Sequence, residues 1–229
     1  MSNLTVLSLG GSIIAPGNPD IEFLTQFNQA IRKYLKEDST RKIILVCGGG
    51  GPARTYQSAY RSVAEEPLSS VQDWIGVRAT HLNGMLVHAI FDDLCSDDLI
   101  TDPTGHIAFQ SQVLVAAGWK PGFSTDTDAV YLAERFGGNK VVNLSNIAKV
   151  YTDDPKTHPE ATPLDSISWE DFRIMVGDEW VPGKNCPFDP IASKIAQKEK
   201  IQVICADGRN IENTIAILKN KAFTGTTIG

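Results

Sequence analysis

The sequence predicts an α/β protein, a three-layer sandwich in which helices cover both faces of a mainly parallel central sheet. Three observations carry this. Short, continuously apolar runs alternate with amphipathic helical patterns along almost all of the 229 residues. Two of those runs end directly in glycine: residues 4–9 lead into Gly10-Gly11-Ser12, and residues 43–47 lead into Gly48 to Gly51. Both glycine turns therefore fall at strand carboxyl ends, where sheets of this kind bind ligands.

The elements follow in order. Residues 4–9 read as a strand. Residues 21–35 read as a helix with Ile21, Leu24, Phe27, Ala30, Ile31 and Tyr34/Leu35 on one face. A strand over 43–47 precedes a helix over 53–64, with Pro52 in its first turn, where a missing N–H costs nothing. Residues 74–95 form one long helix or a broken pair. A strand over 113–117, a helix over 128–136 and a strand over 141–144 come next. Ser168 can cap a helix over 168–176. A helix over 189–200, a strand over 203–205, a helix over 211–219 and an extended piece over 224–228 complete the chain. Segments 153–164 and 180–190 read as functional loops. With no internal repeat, low-complexity tract or composition break, residues 1–229 are expected to form a single domain.

Composition bounds the function. With 42% hydrophobic and 21% charged residues the chain is an ordinary globular one, long enough to bury a substantial core. A formal net charge of −6 argues against general nucleic-acid binding, which needs clustered Lys and Arg, but leaves a phosphorylated small molecule open. Cys47, Cys95, Cys186 and Cys205 are scattered without a C-x-x-C pair, so reduced thiols in a cytoplasmic protein are expected. No apolar stretch is long enough for a membrane span, and no secretory leader pattern opens the chain.

Several loops carry residues suited to chemistry. The four glycines, with Gly10-Gly11-Ser12 as a partner, suit a polyphosphate gripped from two sides, because glycine lets backbone N–H groups approach closely. This is neither a Walker loop nor G-x-G-x-x-G. Arg54, on the first coil after the turn, can fork onto phosphate oxygens. The segment Pro121-Gly122-Phe123-Ser124-Thr125-Asp126-Thr127-Asp128 offers hydroxyls, N–H groups and an aromatic face, or a helix cap from Thr125, Asp126 or Thr127. Asn146, Tyr151 and Asp154 lie in a loop that can form a purine pocket, or, since Asp-Asp-Pro is a common turn, simply a turn. Read alone, Lys194 is a solvated helix lysine, His81 and His88 are structural or solvent-facing, and the four tryptophans are packing residues.

Taken in order, these loops resemble the amino acid kinase superfamily, and most closely its UMP kinase branch of archaeal type. The resemblance rests on Leu9-Gly10-Gly11-Ser12 with Asn18-Pro19-Asp20, Gly48-Gly49-Gly50 with Ala53-Arg54 and Tyr56, and Asp73, Gly76, Thr80, Asn83 and Met85. It continues through Pro121-Gly122 with Ser124-Thr125-Asp126, Val150-Tyr151-Thr152 with Asp154-Pro155, Asp189-Pro190 with Ala192 and Lys194, and Gly225-Thr226-Thr227. It implies phosphoryl transfer from ATP to UMP with magnesium held mainly by the nucleotide phosphates, and a homo-oligomer, a hexamer. Gly10, Gly11, Ser12, Gly50 and Arg54 would then lie near the ATP phosphates, and Ser145, Asn146, Tyr151 and Asp154 around its adenosine. Gly49, Asp73 and the loop Trp119, Lys120, Pro121, Gly122, Phe123, Ser124 and Thr125 would hold UMP, with Asp73 accepting from the ribose.

Three departures matter. Ser8 stands where many superfamily members carry a lysine, so the transition-state cation is expected to be Lys194 oriented by Asp126, with Arg54 as the other candidate. Ala148-Lys149 replaces the usual Asp-Gly, so the adenine-side loop is expected to differ in shape. Trp119-Lys120 replaces smaller polar residues, adding a cation near UMP. Two other readings remain: a sibling kinase acting on a small carboxylate or phosphate, and a non-catalytic nucleotide-binding or storage protein on the same fold.

Overall fold

The computed structural model describes residues 3–178 and 186–229. Its strands are β1 (Leu4–Leu9), β2 (Lys42–Cys47), β3 (Val113–Ala117), β4 (Lys140–Ser145), β5 (Ser166–Ile167), β6 (Gln202–Asp207) and β7 (Thr226–Ile228). Its helices are α1 (Gly11–Ile14), α2 (Ile21–Lys36), α3 (Gly50–Val63), α4 (Ser69–Ile90), α5 (Thr125–Arg135), α6 (Trp169–Val176), α7 (Pro190–Lys198) and α8 (Ile211–Leu218). One sheet holds the strands in the order β3-β2-β1-β4-β6-β7-β5. Pairing is parallel from β3 through β6, and β7 then runs antiparallel to β6.

The apolar runs explain the layers. Every residue of β1 is buried, as expected for a strand covered on both faces. Leu4 and Val6 face one core, with α5, α6 and α7. Leu7 and Leu9 face the other, with α1, α2, α4 and α8. Helix α2 buries Phe23, Leu24, Phe27, Ile31, Tyr34 and Leu35, and the Asp20 carboxylate caps it by accepting from Phe23 N at 3.0 Å.

Strand order sets where a ligand can sit. The chain builds outward from β1 to β2 and β3, then crosses back through α5 to place β4 on the other side of β1. That crossing puts α5 on the face opposite α2 and α4, and leaves a switch point between β1 and β4.

The segment expected as one helix or a broken pair is the single helix α4, closed by a 3-10 turn at Asp92–Leu94. Helix α5 starts earlier than its apolar pattern, and its cap is Ser124, not Thr125, Asp126 or Thr127: Ser124 is extended, and its hydroxyl accepts from Thr127 N at 3.3 Å. Ser168 caps α6 as expected, by accepting from Asp171 N at 3.1 Å. The one-turn α1 and the two-residue β5 are too short to show a period in the sequence. The Trp180 and Asn185 portion of the loop expected over 180–190 lies outside the described residues.

Candidate active site

Two glycine turns meet at the carboxyl ends of β1 and β2. Gly48 N–H donates to Leu9 O at 2.9 Å, Gly10 N–H to Leu144 O at 2.8 Å, and Gly51 N–H to Ala15 O at 2.8 Å. The backbones touch: a Cβ on Gly11 would lie 2.0 Å from Gly50 N, and one on Gly50 (φ +62°) 2.2 Å from Gly11 O. No larger residue fits either position. Asn83 of α4 fixes the second turn, its Nδ2 donating to Gly48 O at 2.8 Å and to Gly49 O at 3.1 Å. Among the described residues, no acceptor takes the N–H groups of Gly11, Ser12, Gly49 or Gly50. Gly49 and Gly50 open the 14-residue helix α3, so the helix dipole adds to their pull on an anion. Arg54 is exposed beside them, with Nη2 3.4 Å from Pro16 O.

The loop over 118–124 lies across from this edge, after β3. Its aromatic residues pack on each other: the Trp119 and Phe123 rings are 4.9 Å apart, and Phe123 lies 6.4 Å from Tyr131. Lys120 Nζ sits 3.6 Å from the Trp119 ring centroid and 5.0 Å from that of Phe123. The cation expected to face UMP is thus held on an indole face. Gly122 (φ +84°) turns the loop, and its N–H faces the Asp73 carboxylate of α4. Burial raises the Asp73 pKa, and the Gly122 N–H opposes that rise.

Between these regions lie the neighbouring carboxylates of Asp126 and Asp189. Asp126 Oδ1 accepts from Ser8 Oγ at 3.1 Å, and its Oδ2 from Asp189 N at 3.2 Å. Burial, with the Asp189 charge beside it, pushes the Asp126 pKa up to about 7. Ser8 is the buried β1 residue two before Gly10, and it stands against Asp126. Lys194 does not join this cluster. It is exposed on the second turn of α7, and the charge it acts on is Asp178. The expected Asp126–Lys194 contact is therefore replaced by Asp126 with Ser8 and Asp189 N. Asp126 opens α5 facing β1, whereas Lys194 lies on the solvent side of α7.

On the β4 side, Ser145 Oγ accepts from Ile147 N at 3.4 Å, and Asn146 is exposed. Tyr151 bridges to Pro163, and the Asp154 carboxylate accepts from Lys156 N at 3.0 Å, closing a tight turn. Lys149, in the departing Ala148-Lys149 pair, forms an ion pair with Asp165. The structure thus gathers the glycine turns, Arg54, Asp73, the 119–125 loop, Asp126 and Ser145 along one sheet edge.

Residues 3–207 match the amino acid kinase family. The chain belongs to the amino acid kinase family. Curated relatives in this family include uridylate kinases from Pyrococcus abyssi, 30% identical over 97% of this chain and 98% of the relative, and from Methanosarcina barkeri, 32% identical over 96% and 93%. The crystal structure of uridylate kinase from Archaeoglobus fulgidus superposes with a TM-score of 0.81 at 29% identity, covering 98% of this chain and 99% of that one. UMP kinase from Ureaplasma parvum shares the fold, with a TM-score of 0.72 at 17% identity.

Within this amino acid kinase fold, sequence reasoning missed three residues that shape the site. Thr80 and His81 hold the start of the 118–124 loop from α4, and Asp128 holds it from α5. His81 is structural, bonded to Gly118 O, and nothing in its sequence spacing points to the loop it holds.

Proposed function

We propose that the chain is a nucleoside monophosphate kinase that moves the γ-phosphoryl group of ATP onto UMP, giving UDP and ADP. The observation that carries this reading is one sheet edge bearing both unbonded backbone N–H groups at the interlocked glycine turns and a separate loop whose Gly122 N–H faces Asp73. UMP as acceptor is supported by relatives named uridylate kinase that align over nearly the whole chain.

Phosphoryl transfer needs positioning and charge stabilisation more than a nucleophilic side chain, because the UMP phosphate is itself the nucleophile. The Gly11, Ser12, Gly49 and Gly50 N–H groups would hold phosphate oxygens, and Arg54 reaches the same space. Asp73 would accept from the ribose hydroxyls in place of Gly122 N–H. Ser145, Asn146, Tyr151 and Asp154 would border the adenosine. The donor set here is mostly N–H and guanidinium, which suits phosphate, so magnesium would be carried on the nucleotide and would neutralise charge between the phosphates. Lys194 remains the proposed transition-state cation, although it is exposed on α7 and not in contact with Asp126.

The same reading includes a single domain, supported by one continuous sheet, and a cytoplasmic setting, supported by four free cysteines. No helix among the described residues is long and apolar enough to cross a membrane. It also includes a homo-oligomer, a hexamer. Exposed Val71, Trp74, Leu82 and Met85 recur along α4 at helical spacing, an apolar face of the kind that packs across a two-fold axis.

The test is ADP release with ATP and magnesium across UMP, CMP, AMP, acetylglutamate, glutamate and isopentenyl phosphate. Turnover with UMP above all others supports the reading. Turnover with another acceptor makes the protein a sibling kinase, and silence with retained nucleotide binding makes it a non-catalytic binder.

A further inference from the structure

The start of the 118–124 loop is held by side chains and not by the sheet. Gly118 N–H donates to Thr80 Oγ1 at 2.8 Å, and its carbonyl accepts from His81 Nε2 at 2.8 Å. The other His81 nitrogen, Nδ1, accepts from Arg78 Nη1 at 3.2 Å, so the ring is fixed as the Nε2–H tautomer. Trp119 N–H donates to Asp128 Oδ2 at 3.1 Å. Gly118 can carry no side chain here, because a Cβ would lie 2.9 Å from Thr80 Oγ1.

Asp128 is costly to keep. It is 1% exposed, and its Oδ1 has no hydrogen-bond partner among the described residues. A buried carboxyl oxygen without a hydrogen-bond partner costs stability. Its one bonded oxygen fixes the backbone of Trp119, the residue whose ring carries Lys120 and Phe123.

The far end of the loop is held differently. Ser124 is tied into α5, accepting from Thr127 N and Asp128 N, and between the two ends the Gly122 N–H faces Asp73, a residue that a bound nucleotide would claim. We propose that Asp128 and His81 are positioning residues for the phosphoryl acceptor: they pin the start of the loop so that only its Gly122 turn moves when the acceptor takes Asp73. This rests on the UMP kinase reading for the identity of the acceptor, and on the geometry alone for the clamp.

The experiment compares Asp128→Ala, Asp128→Asn and His81→Leu with the unaltered protein, reading UMP and ATP affinity by titration calorimetry and loop protection by amide hydrogen exchange. Asp128→Ala is expected to weaken UMP about tenfold, the size of one hydrogen bond, with ATP within twofold. Asp128→Asn, which keeps an acceptor for Trp119 N–H, is expected to restore UMP binding. Exchange of the 118–124 amides is expected to quicken in Asp128→Ala and His81→Leu while the bonded amides of Gly10, Gly48 and Gly51 stay protected. Equal weakening of both nucleotides, or UMP affinity within twofold, overturns the proposal. If Asp128→Ala does not fold, His81→Leu carries the same comparison. If the unaltered protein binds ATP and not UMP, the kinase reading fails, and unchanged exchange of 118–124 then separately overturns the clamp.

Discussion

The two sides of the candidate site are held by different forces. On the glycine-turn side, backbone meets backbone: Gly11 and Gly50 interlock, and strands β4 and β1 supply the hydrogen-bond acceptors for Gly10 and Gly48. On the acceptor side, the 118–124 loop hangs on side chains, Thr80, His81 and Asp128 at its start and Asp73 at its Gly122 turn. A backbone-built site has one shape and tolerates no substitution at its contact points. A loop hung on side chains can give way at one point while another holds, which is what binding and releasing an acceptor requires.

The largest expected effect breaks the first side. Gly11→Ala places a methyl 2.0 Å from Gly50 N, against backbone that cannot retreat without parting β1 from β2. It is expected to leave no folded protein with measurable turnover, as read by circular dichroism and ADP release. A folded, active Gly11→Ala protein would show that the turns are not locked together.

Next comes the cation. Lys194→Ala is expected to lower kcat about 100-fold while UMP affinity stays within twofold, as for a donor that acts in the transition state. Lys194 is exposed and away from Asp126, so this role requires it to turn toward the bound nucleotides. A loss below threefold would move the role to Arg54, beside the glycine turns.

On the acceptor side, Asp73→Asn is expected to raise the UMP half-saturation about tenfold with kcat nearly kept, because an amide is a weaker acceptor for ribose hydroxyls. An unchanged half-saturation for UMP would remove Asp73 from the site.

The smallest effect is on stability. Asp126 and Asp128 are raised from 3.8 to about 7, so the folded protein keeps protons that the unfolded chain releases. Their contribution is full below the unfolded pKa and is lost as pH rises through the folded one, between about 4 and about 7. The melting temperature is therefore expected to fall by a few degrees from pH 5.5 to pH 7.5, on the order of 2–4 °C per kcal/mol for a chain of this length. Asp128→Asn should flatten that slope. A melting curve indifferent to pH in the unaltered protein would mean that both carboxylates are ionised throughout.

Much of this was legible in the sequence. The continuous apolar runs determined the strands, since a strand buried on both faces leaves no room for polar residues, and β1 and β3 begin and end where those runs do. The glycine clusters marked the turns because only glycine permits such backbone contact, and the order of the loops marked the family. Tertiary structure alone decided the rest. It placed β4 beside β1 and turned β7 antiparallel, since short strands carry no record of their neighbours. It set Asp126 against Ser8 rather than Lys194, because a carboxylate's partner depends on which helix face meets the sheet. And it joined Gly118 and Trp119 to His81 and Asp128, 37 and 9 residues distant in the chain, through single hydrogen bonds that no spacing foretells.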